Sequence, residues 1–302
     1  MTKLKAKLRI SPICWWNDDL VELSDDVSLE ECMRQTREAG FTGLETGRRF
    51  PMDADVLAPL LKKHGVGVCG GWFSGTLLEG DMEKNKAGIA AQMALFKAVG
   101  APCIVYGEVA RSIQGDRSKP LATKPKLDEA QIKVYARNIT AFGEWAADQG
   151  MPLSYHHHMA AVIETEAELD LFMKHSGAGI PLCFDAGHMA FAGGDVLRVI
   201  DKHHKRITHV HTKDVRMEVI NKLDRSKESF LDAVMKGAFT VPGDGSLDFE
   251  AIVKKLAGYG YEGWFVVEAE QDPVKAPPKK MNAIGHKELL RVMAAAGYEV
   301  VA

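Results

Sequence analysis

The feature that most constrains the fold of this chain is a unit of short apolar strand, polar loop and amphipathic helix, which recurs eight times along 302 residues and in most cases ends in glycine. Strands that alternate with helices pair in parallel through right-handed crossovers. Eight such units in one chain of this length predict an α/β fold, a closed (β/α)8 TIM barrel in a single domain over residues 1–302. The strands are predicted at residues 8–14, 41–45, 66–72, 103–106, 152–157, 180–184, 207–211 and 263–268.

The helices between the strands are marked by capping and stop signals. A capping-box pattern at residues 28–31 predicts the start of a helix that runs to Ala39 and stops at Gly40. Glycine after a helix supplies the left-handed residue that turns the chain into the next strand. The runner-up fold is a doubly wound open sheet, but no Gly-x-Gly-x-x-Gly motif follows the first strand to support it. The other helices are predicted near residues 55–64, 82–100, 129–149, 164–174, 195–202, 249–257 and 283–296.

Two connections exceed ordinary loop length. The first covers residues 108–126 after strand four, and the second covers residues 215–248 after strand seven and includes a predicted helix at 227–236. Both follow strands, so both are expected on the face of a barrel where active sites lie. Long loops on this face commonly act as lids. The alternative is that they are surface decorations or oligomer contacts.

The charge balance excludes several classes of partner. The chain has 38 basic and 41 acidic residues, which gives a formal net charge of −3. We expect no nucleic-acid partner and no membrane association, because no basic face and no membrane-spanning stretch is present in the sequence. Five widely spaced cysteines without CxxC pairs argue for thiols in a reducing compartment. The prediction is a soluble, cytoplasmic protein without a signal peptide.

Three consecutive histidines close the fifth strand. Side chains alternate along a strand, so His156 and His158 share one face, while His157 is predicted to pack on the other. Acidic and imidazole side chains recur at the carboxyl ends of later strands, which meet in one cavity in a barrel. Such a mixture without thiolate suits Mn²⁺, Co²⁺, Mg²⁺ or Zn²⁺. The predicted metal ligands, one from each of the last four strands, are His156, Asp185, His211 and Glu268.

The series of strand ends resembles the sugar isomerase/epimerase superfamily of metal-dependent TIM barrels, which includes xylose isomerase and endonuclease IV. Within it, the chain is most similar to the myo-inosose-2 dehydratases of inositol catabolism. The resemblance spans nearly the whole chain. It is carried by Trp-Asn-Asp-Asp at 16–19, Gly-Leu-Glu-Thr-Gly at 43–47, Tyr-His-His-His at 155–158, Asp-Ala-Gly-His at 185–188, His-Thr-Lys-Asp at 211–214, Pro-Gly-Asp-Gly at 242–245 and Glu-Ala-Glu-Gln-Asp-Pro at 268–273.

The resemblance implies the same four metal ligands, with Mn²⁺ or Co²⁺ preferred, and a homodimer or homotetramer. It also implies that His188 and Lys213 contact substrate oxygens. At position 156 the chain departs from the isomerases, which have glutamate there and use it with a second glutamate to move a proton. A histidine that binds metal cannot act as that base, so one-sided proton abstraction with loss of a hydroxyl is favoured over a proton shuttle.

The implied reaction is dehydration of 2-keto-myo-inositol (scyllo-inosose) to a trihydroxycyclohexane-1,2-dione. Glu268 is the first candidate for the base, and His158, His188 or Lys213 could protonate the departing hydroxyl. The competing hypotheses are an isomerase or epimerase of a keto-inositol, hydroxypyruvate or a ketose, a nucleic-acid enzyme, and a sugar-binding protein without catalysis. The charge balance argues against the nucleic-acid enzyme.

The remaining predicted residues line the polyol pocket. They are Asn17, Asp18, Glu45, Trp72, Glu108 and Arg216. Glu45 has a second interpretation, in which its carboxylate orients a metal-binding histidine and does not touch substrate.

Overall fold

The structure, a computed structural model, describes residues 3–23 and 26–301. Eight parallel strands form a closed barrel, because each strand pairs with the next and the last pairs with the first. This confirms the predicted TIM barrel. The strands are β1 (Leu4–Ile10), β2 (Gly43–Thr46), β3 (Gly67–Gly75), β4 (Ile104–Glu108), β5 (Leu153–His156), β6 (Leu182–Asp185), β7 (Ile207–His211) and β8 (Gly263–Val267).

Helices surround the barrel and connect its strands. Those near the predicted positions are α1 (Leu29–Glu38), α2 (Ala54–His64), α3 (Met82–Val99), α4 (Glu129–Asp148), α5 (Glu166–His175), α7 (Val196–His203), α10 (Phe249–Gly258) and α11 (Pro278–Ala295). Three short helices lie in the connections after β6 and β7, namely α6 (Ala186–Phe191), α8 (Met217–Ile220) and α9 (Phe230–Met235). The α9 helix is shorter than the predicted one at 227–236, and α6 was not predicted.

Helix ends follow the local signals with one exception. Gly65 and Gly100 end α2 and α3 with left-handed φ angles of 62° and 73°, which glycine adopts without steric cost. Ser28 caps α1 by accepting a hydrogen bond from the Glu31 backbone N–H. The second half of the predicted capping box is replaced, because the Glu31 carboxylate accepts hydrogen bonds from Arg34 and Gln35.

The first strand and the C-terminal segment differ most from the prediction. β1 covers Leu4–Ile10 and not 8–14, and residues Pro12–Cys14 form a 3₁₀ turn. Proline has no N–H to donate to a strand ladder, which accounts for the early end. A further strand, Tyr298–Val300, pairs in parallel with Leu4–Ala6. It covers the part of β1 that β2 does not reach, since β1 and β2 pair only at Ile10 and Leu44.

The two long connections pack together over the carboxyl face of the barrel. Backbone N–H groups of Leu121 and Ala122 donate to the carbonyls of Glu228 and Arg225. A short antiparallel pair, Asp214–Val215 with Phe239–Thr240, begins the second connection. These connections share a second apolar core, here called the cap cluster, separate from the core between strands and helices. Its buried members include Leu20, Leu121, Met159, Phe191, Val215, Phe230, Leu231, Val234 and Phe239.

Two further structural observations bear on the composition of the chain. All five cysteine side chains are buried. Over residues 3–23 and 26–301, every helix is too short or too polar to cross a membrane.

Candidate active site

A cavity of about 300 Å³ lies at the carboxyl ends of the strands, below the cap cluster. This volume is at the lower end of the range for small-molecule sites. Its wall includes side chains from the ends of several strands and from the loops after β1 and β4. The strand alternation predicted for the histidine run is observed here, because His156 and His158 line the cavity. His157 instead packs near Phe184, with ring centroids 6.2 Å apart.

Four buried side chains converge at the cavity floor and are here called the ligand cluster: His156, Asp185, His211 and Glu268. One nitrogen or oxygen of each lies within 4.8 Å of the others. The His211 Nδ1 atom is 3.0 Å from Glu268 Oε2 and 3.7 Å from Asp185 Oδ2. The His156 Nε2 atom is 3.4 Å from Asp185 Oδ2. The structure thus brings together the four predicted ligands.

The ligand cluster has the polar atoms that a cation would need. Within the described residues, Asp185 Oδ2, Glu268 Oε2, His211 Nδ1 and both ring nitrogens of His156 are buried without a well-formed hydrogen bond, although Glu268 Oε2 lies 3.0 Å from both His211 Nδ1 and Lys213 Nζ. Buried polar atoms without partners are rare and call for a physical cause such as a bound ion. Two imidazoles and two carboxylates are a suitable donor set for a divalent transition-metal ion. The residues therefore fit the implied metal.

Glu45 connects the ligand cluster to the barrel interior. Its Oε1 atom is 3.0 Å from Nε2 of His211 and 3.0 Å from Nε2 of His209. A carboxylate accepts hydrogen bonds, so both Nε2 atoms carry protons and the Nδ1 atom of His211 faces the cluster. Burial opposes ionisation of Glu45, but the two histidines hold its pKa well below the usual value. The contacts correspond to the second interpretation of Glu45, as an orienting carboxylate.

A second buried group lies beside the ligand cluster and is here called the Lys213 cluster: Lys213, His158, His188 and Glu270. Lys213 Nζ is 2.6 Å from Glu270 Oε1, 2.8 Å from His188 Nε2 and 3.0 Å from Glu268 Oε2. The rings of His158 and His188 have centroids 3.9 Å apart. His158 and Glu270 line the cavity, whereas Lys213 and His188 lie behind them. Lys213 thus bridges the two clusters.

The pKa shifts in the two clusters follow burial and charge. Burial lowers the pKa of His158 and of His188 well below the usual value, and Lys213 adds to the effect. For Glu268, burial is outweighed by Lys213 and His211, so its pKa is lowered. Burial raises the pKa of Glu270 to about 7, because Lys213 offsets it only in part and Glu268 repels a second negative charge.

The mouth of the cavity is formed by Asp18, Asp19, Trp72 and Gln114. The Trp72 ring meets His156 and His158 edge-on, with centroids 5.5 and 5.9 Å apart. The Asp18 side chain is 47% exposed and lies 3.5 Å from Arg48 Nε. Aromatic and acidic walls of this kind suit a ligand with both C–H and hydroxyl surfaces.

Three residues predicted for the substrate pocket have other roles. The Asn17 side-chain oxygen accepts hydrogen bonds from the N–H groups of Asp19 and Leu20, which closes a tight turn. Glu108 accepts from Leu78 N, Ala110 N and the Tyr106 hydroxyl, so it joins two loops. Arg216 donates to the carbonyls of Gly237 and Phe239 and pairs with Asp244.

None of the three lines the cavity, because a polar side chain at a strand end can turn towards a neighbouring loop, and their contact with substrate stays a prediction. His188 and Lys213, which were predicted to contact substrate, lie one layer behind the cavity wall.

The cavity residues that sequence reasoning did not select include three with polar or acidic side chains that matter below, Asp19, Gln114 and Glu270. Glu270 carried a usable signal, since it stands two positions after Glu268 and shares its side of an extended chain. Asp19 carried a weaker signal, its place in the Asn-Asp-Asp run at residues 17–19. Gln114 had none, because its place depends on how the loop after β4 folds.

Residues 33–297 match the family model described as a xylose isomerase-like TIM barrel. The chain is 40% identical over 297 residues to the rhizopine catabolism protein MocC of Rhizobium meliloti, which covers 98% of this chain and 91% of that protein. It is 42% identical over 276 residues to an inosose dehydratase of Geobacillus thermodenitrificans strain NG80-2, which covers 91% and 93% of the two chains.

A solved structure of the IOLI protein with a bound zinc atom is similar to the chain in fold. The TM-score is 0.72 at 16% sequence identity, over 96% of this chain and 99% of that chain. At this identity the likeness shows a shared fold.

Proposed function

The chain belongs to the xylose isomerase-like TIM-barrel family, and within it we propose that it is a metal-dependent hydro-lyase, an inosose dehydratase of inositol catabolism. The observation that carries this proposal is the pairing of a four-residue cation site with a separate acid–base group in one small cavity. Glu270 lines that cavity and is not one of the four ligands. The relationship to an inosose dehydratase at 42% identity supports the same conclusion.

The proposed reaction is a β-elimination from 2-keto-myo-inositol. The C–H bond next to the ketone breaks, a C=C bond forms, and the C–O bond one carbon further breaks. The departing hydroxyl takes a proton and leaves as water. The resulting enol tautomerises to a trihydroxycyclohexane-1,2-dione, so no oxidant or reductant is needed.

A cation at the ligand cluster would supply Lewis acidity, which polarises a ketone and stabilises negative charge on its oxygen. His156, Asp185, His211 and Glu268 would hold it. Glu268 was the first candidate for the base, but its Oε2 atom faces both His211 and Lys213 at 3.0 Å. That placement keeps Oε2 next to the other atoms of the ligand cluster, so we assign Glu268 to metal binding and not to proton transfer.

We assign proton transfer to His158 and Glu270, which line the cavity. His158 Nδ1 is 2.6 Å from the Met159 carbonyl oxygen, which can only accept, so Nδ1 carries the proton and the Nε2 lone pair is free to take one from carbon. Glu270 Oε1 is occupied by Lys213, whereas Oε2 is without a partner among the described residues. Oε2 is therefore the atom that delivers a proton to the departing hydroxyl.

The direct test is to incubate the metal-loaded protein with scyllo-inosose. Dehydration produces a dione that absorbs in the ultraviolet, and the product is checked by mass loss of one water. A keto-inositol isomer of unchanged mass would instead support the competing isomerase or epimerase. Absence of any turnover with every divalent metal tested would contradict both enzymes.

We propose Mn²⁺ or Co²⁺ as the metal, with Mg²⁺ or Zn²⁺ as alternatives, because the donor set alone accepts all four. Reconstitution of metal-free protein with each ion, followed by activity and elemental analysis, ranks them. A cytoplasmic location and a homodimer or homotetramer stay predictions. Fractionation and size-exclusion chromatography with light scattering test them.

A further inference from the structure

We infer that Asp19 and Gln114 form a clamp that binds the ring hydroxyls which the ligand cluster does not reach, and that this clamp determines which polyols are accepted. The inference rests on the proposed function, which identifies the ligand as a cyclic polyol ketone. It concerns two residues that the proposed chemistry leaves unused. Both line the cavity, although they lie on different loops.

The two residues come from different loops in one wall of the cavity. Asp19 lies in the loop after β1, and Gln114 lies in the long loop after β4. Gly115 comes so close that a Cβ atom there would lie 3.5 Å from Asp19 Oδ1. The two loops therefore form one continuous wall at this point.

The backbone at Asp19 and the side chain of Gln114 are held by their own loops. Asn17 accepts hydrogen bonds from the N–H groups of Asp19 and Leu20, at 2.9 and 2.7 Å, and Leu20 is buried in the cap cluster. The Ser112 hydroxyl donates to Gln114 Oε1 at 3.0 Å, which leaves the amide N–H groups to face other partners. A pre-positioned pair loses little entropy when it binds a ligand.

The chemistry of the pair matches two neighbouring hydroxyls. A carboxylate only accepts hydrogen bonds, and an amide NH₂ only donates them. One hydroxyl can donate to Asp19 while its neighbour accepts from Gln114. Glu270 adds a buried oxygen without a partner in the described chain, which also faces a hydroxyl-bearing ligand.

The charge of the wall favours an uncharged ligand. Five carboxylates line the cavity, and the described lining residues include no lysine or arginine. A phosphate or carboxylate on the ring would be repelled at the clamp. Hydroxyl groups are thus the feature that this end of the cavity can recognise.

The experiment compares scyllo-inosose with a deoxy analogue that lacks the hydroxyl opposite the ketone, using wild type and Asp19→Ala. In the wild type, kcat/KM for the analogue should be lower by about 10- to 100-fold, the effect of a lost hydrogen bond to a charged group. Asp19→Ala should lose a similar factor with scyllo-inosose, mainly through KM, and should no longer distinguish the two compounds. Gln114→Ala should do the same to a smaller extent.

Asp116→Asn is the matched control, because Asp116 lies in the same loop, is exposed and bonds only to its neighbour Ser118 among the contacts described. It should keep wild-type selectivity. Unchanged discrimination in both Asp19→Ala and Gln114→Ala, at wild-type melting temperature, would overturn the clamp.

Failure of the proposed function gives a different result. If scyllo-inosose is not converted, calorimetric binding of myo-inositol and a deoxy-inositol replaces kinetics. If Asp19→Ala binds myo-inositol and the deoxy-inositol equally well, the clamp is supported. If Asp19→Ala still binds them with the wild-type difference in affinity, the clamp is overturned.

Discussion

The ligand cluster and the Lys213 cluster are neighbours of equal size and similar burial, but they are satisfied in different ways. In the ligand cluster, five nitrogen or oxygen atoms have no hydrogen-bond partner in the described chain. In the Lys213 cluster, the ammonium group lies within 2.8 Å of both a carboxylate and an imidazole. The ligand cluster therefore has atoms available for an external cation, whereas the Lys213 cluster contains its own ammonium group.

This difference explains how one cavity can both bind a metal and move protons. A buried carboxylate is costly unless a positive charge faces it. Asp185 and Glu268 share Lys213 and the histidines and keep lowered pKa values despite burial. Glu270 has the closest contact with Lys213, at 2.6 Å, yet burial and repulsion from Glu268 raise its pKa, and it is the carboxyl that remains available for a proton.

The largest expected effect tests whether the ligand cluster depends on an external cation. Asp185→Asn removes one ligand charge but keeps the side-chain oxygen that caps α6 at the His188 N–H. We expect loss of bound metal and a fall in activity on the order of 10³-fold, because metal catalysis contributes several kcal/mol. Elemental analysis and initial rates measure both.

The control for this variant is Asp195→Asn, which caps α7 in the same way on the surface. It should retain metal and activity. If Asp185→Asn kept its full metal content, the ligand cluster would not be the metal site.

The second prediction separates the two clusters. Glu270→Gln should lower kcat by about 10²- to 10⁴-fold, the usual contribution of a general acid or base, while metal content stays at the wild-type level. The matched control is Asp272→Asn, whose carboxylate pairs with Lys275 outside the cavity. Loss of metal in Glu270→Gln would show that the clusters act as one unit.

The third prediction concerns Glu45, which lies behind the ligand cluster. Glu45→Gln weakens the hydrogen bonds that fix His209 and His211, so the metal dissociation constant should rise about 10- to 100-fold. At saturating metal, kcat should recover to within a few-fold of the wild type. If kcat stayed low in excess metal, Glu45 would have to contact substrate, as the first interpretation proposed.

The smallest effect is expected at Glu108, a buried carboxyl that faces only dipoles and has no cation among its hydrogen-bond partners in the described chain. Burial raises its pKa from 4.5 to about 7. The folded state therefore holds this proton more tightly than the unfolded state. The resulting stability is present below pH 4.5 and is lost as pH rises through 7.

The Glu108→Gln side chain stays neutral at every pH. Between pH 5 and pH 8, the free energy of unfolding of this variant should therefore rise by on the order of 2 kcal/mol relative to that of the wild type. Urea denaturation at both pH values measures the difference in free energy of unfolding. Glu83→Gln is a suitable comparison, because that side chain is 82% exposed. If the difference in free energy of unfolding between Glu108→Gln and wild type were the same at both pH values, Glu108 would not have a raised pKa and would not differ from the carboxylates that are paired with cations.

Much of the fold and the centre of the site could be predicted from the sequence. The strand and helix periods predicted the barrel, and the carboxyl ends of β5 to β8 predicted His156, Asp185, His211 and Glu268. Asn17, Glu108 and Arg216 were also assigned to the pocket, but their side chains bond to neighbouring loops and do not line the cavity. The rule locates a residue at the correct end of a strand, but it does not state whether its side chain faces the axis or its own loop.

By itself, the sequence determined the features that repeat along the chain. Periodic apolar positions, glycine stops and strand-end residues depend on neighbours two to four positions away, so local physical chemistry is sufficient to predict them. Only the tertiary structure decided that Asp19 and Gln114 line one cavity wall, that Glu45 supports His211, and that Lys213 bridges the two clusters. Those contacts join residues up to 166 positions apart, and their geometry depends on barrel closure and on the packing of the cap cluster.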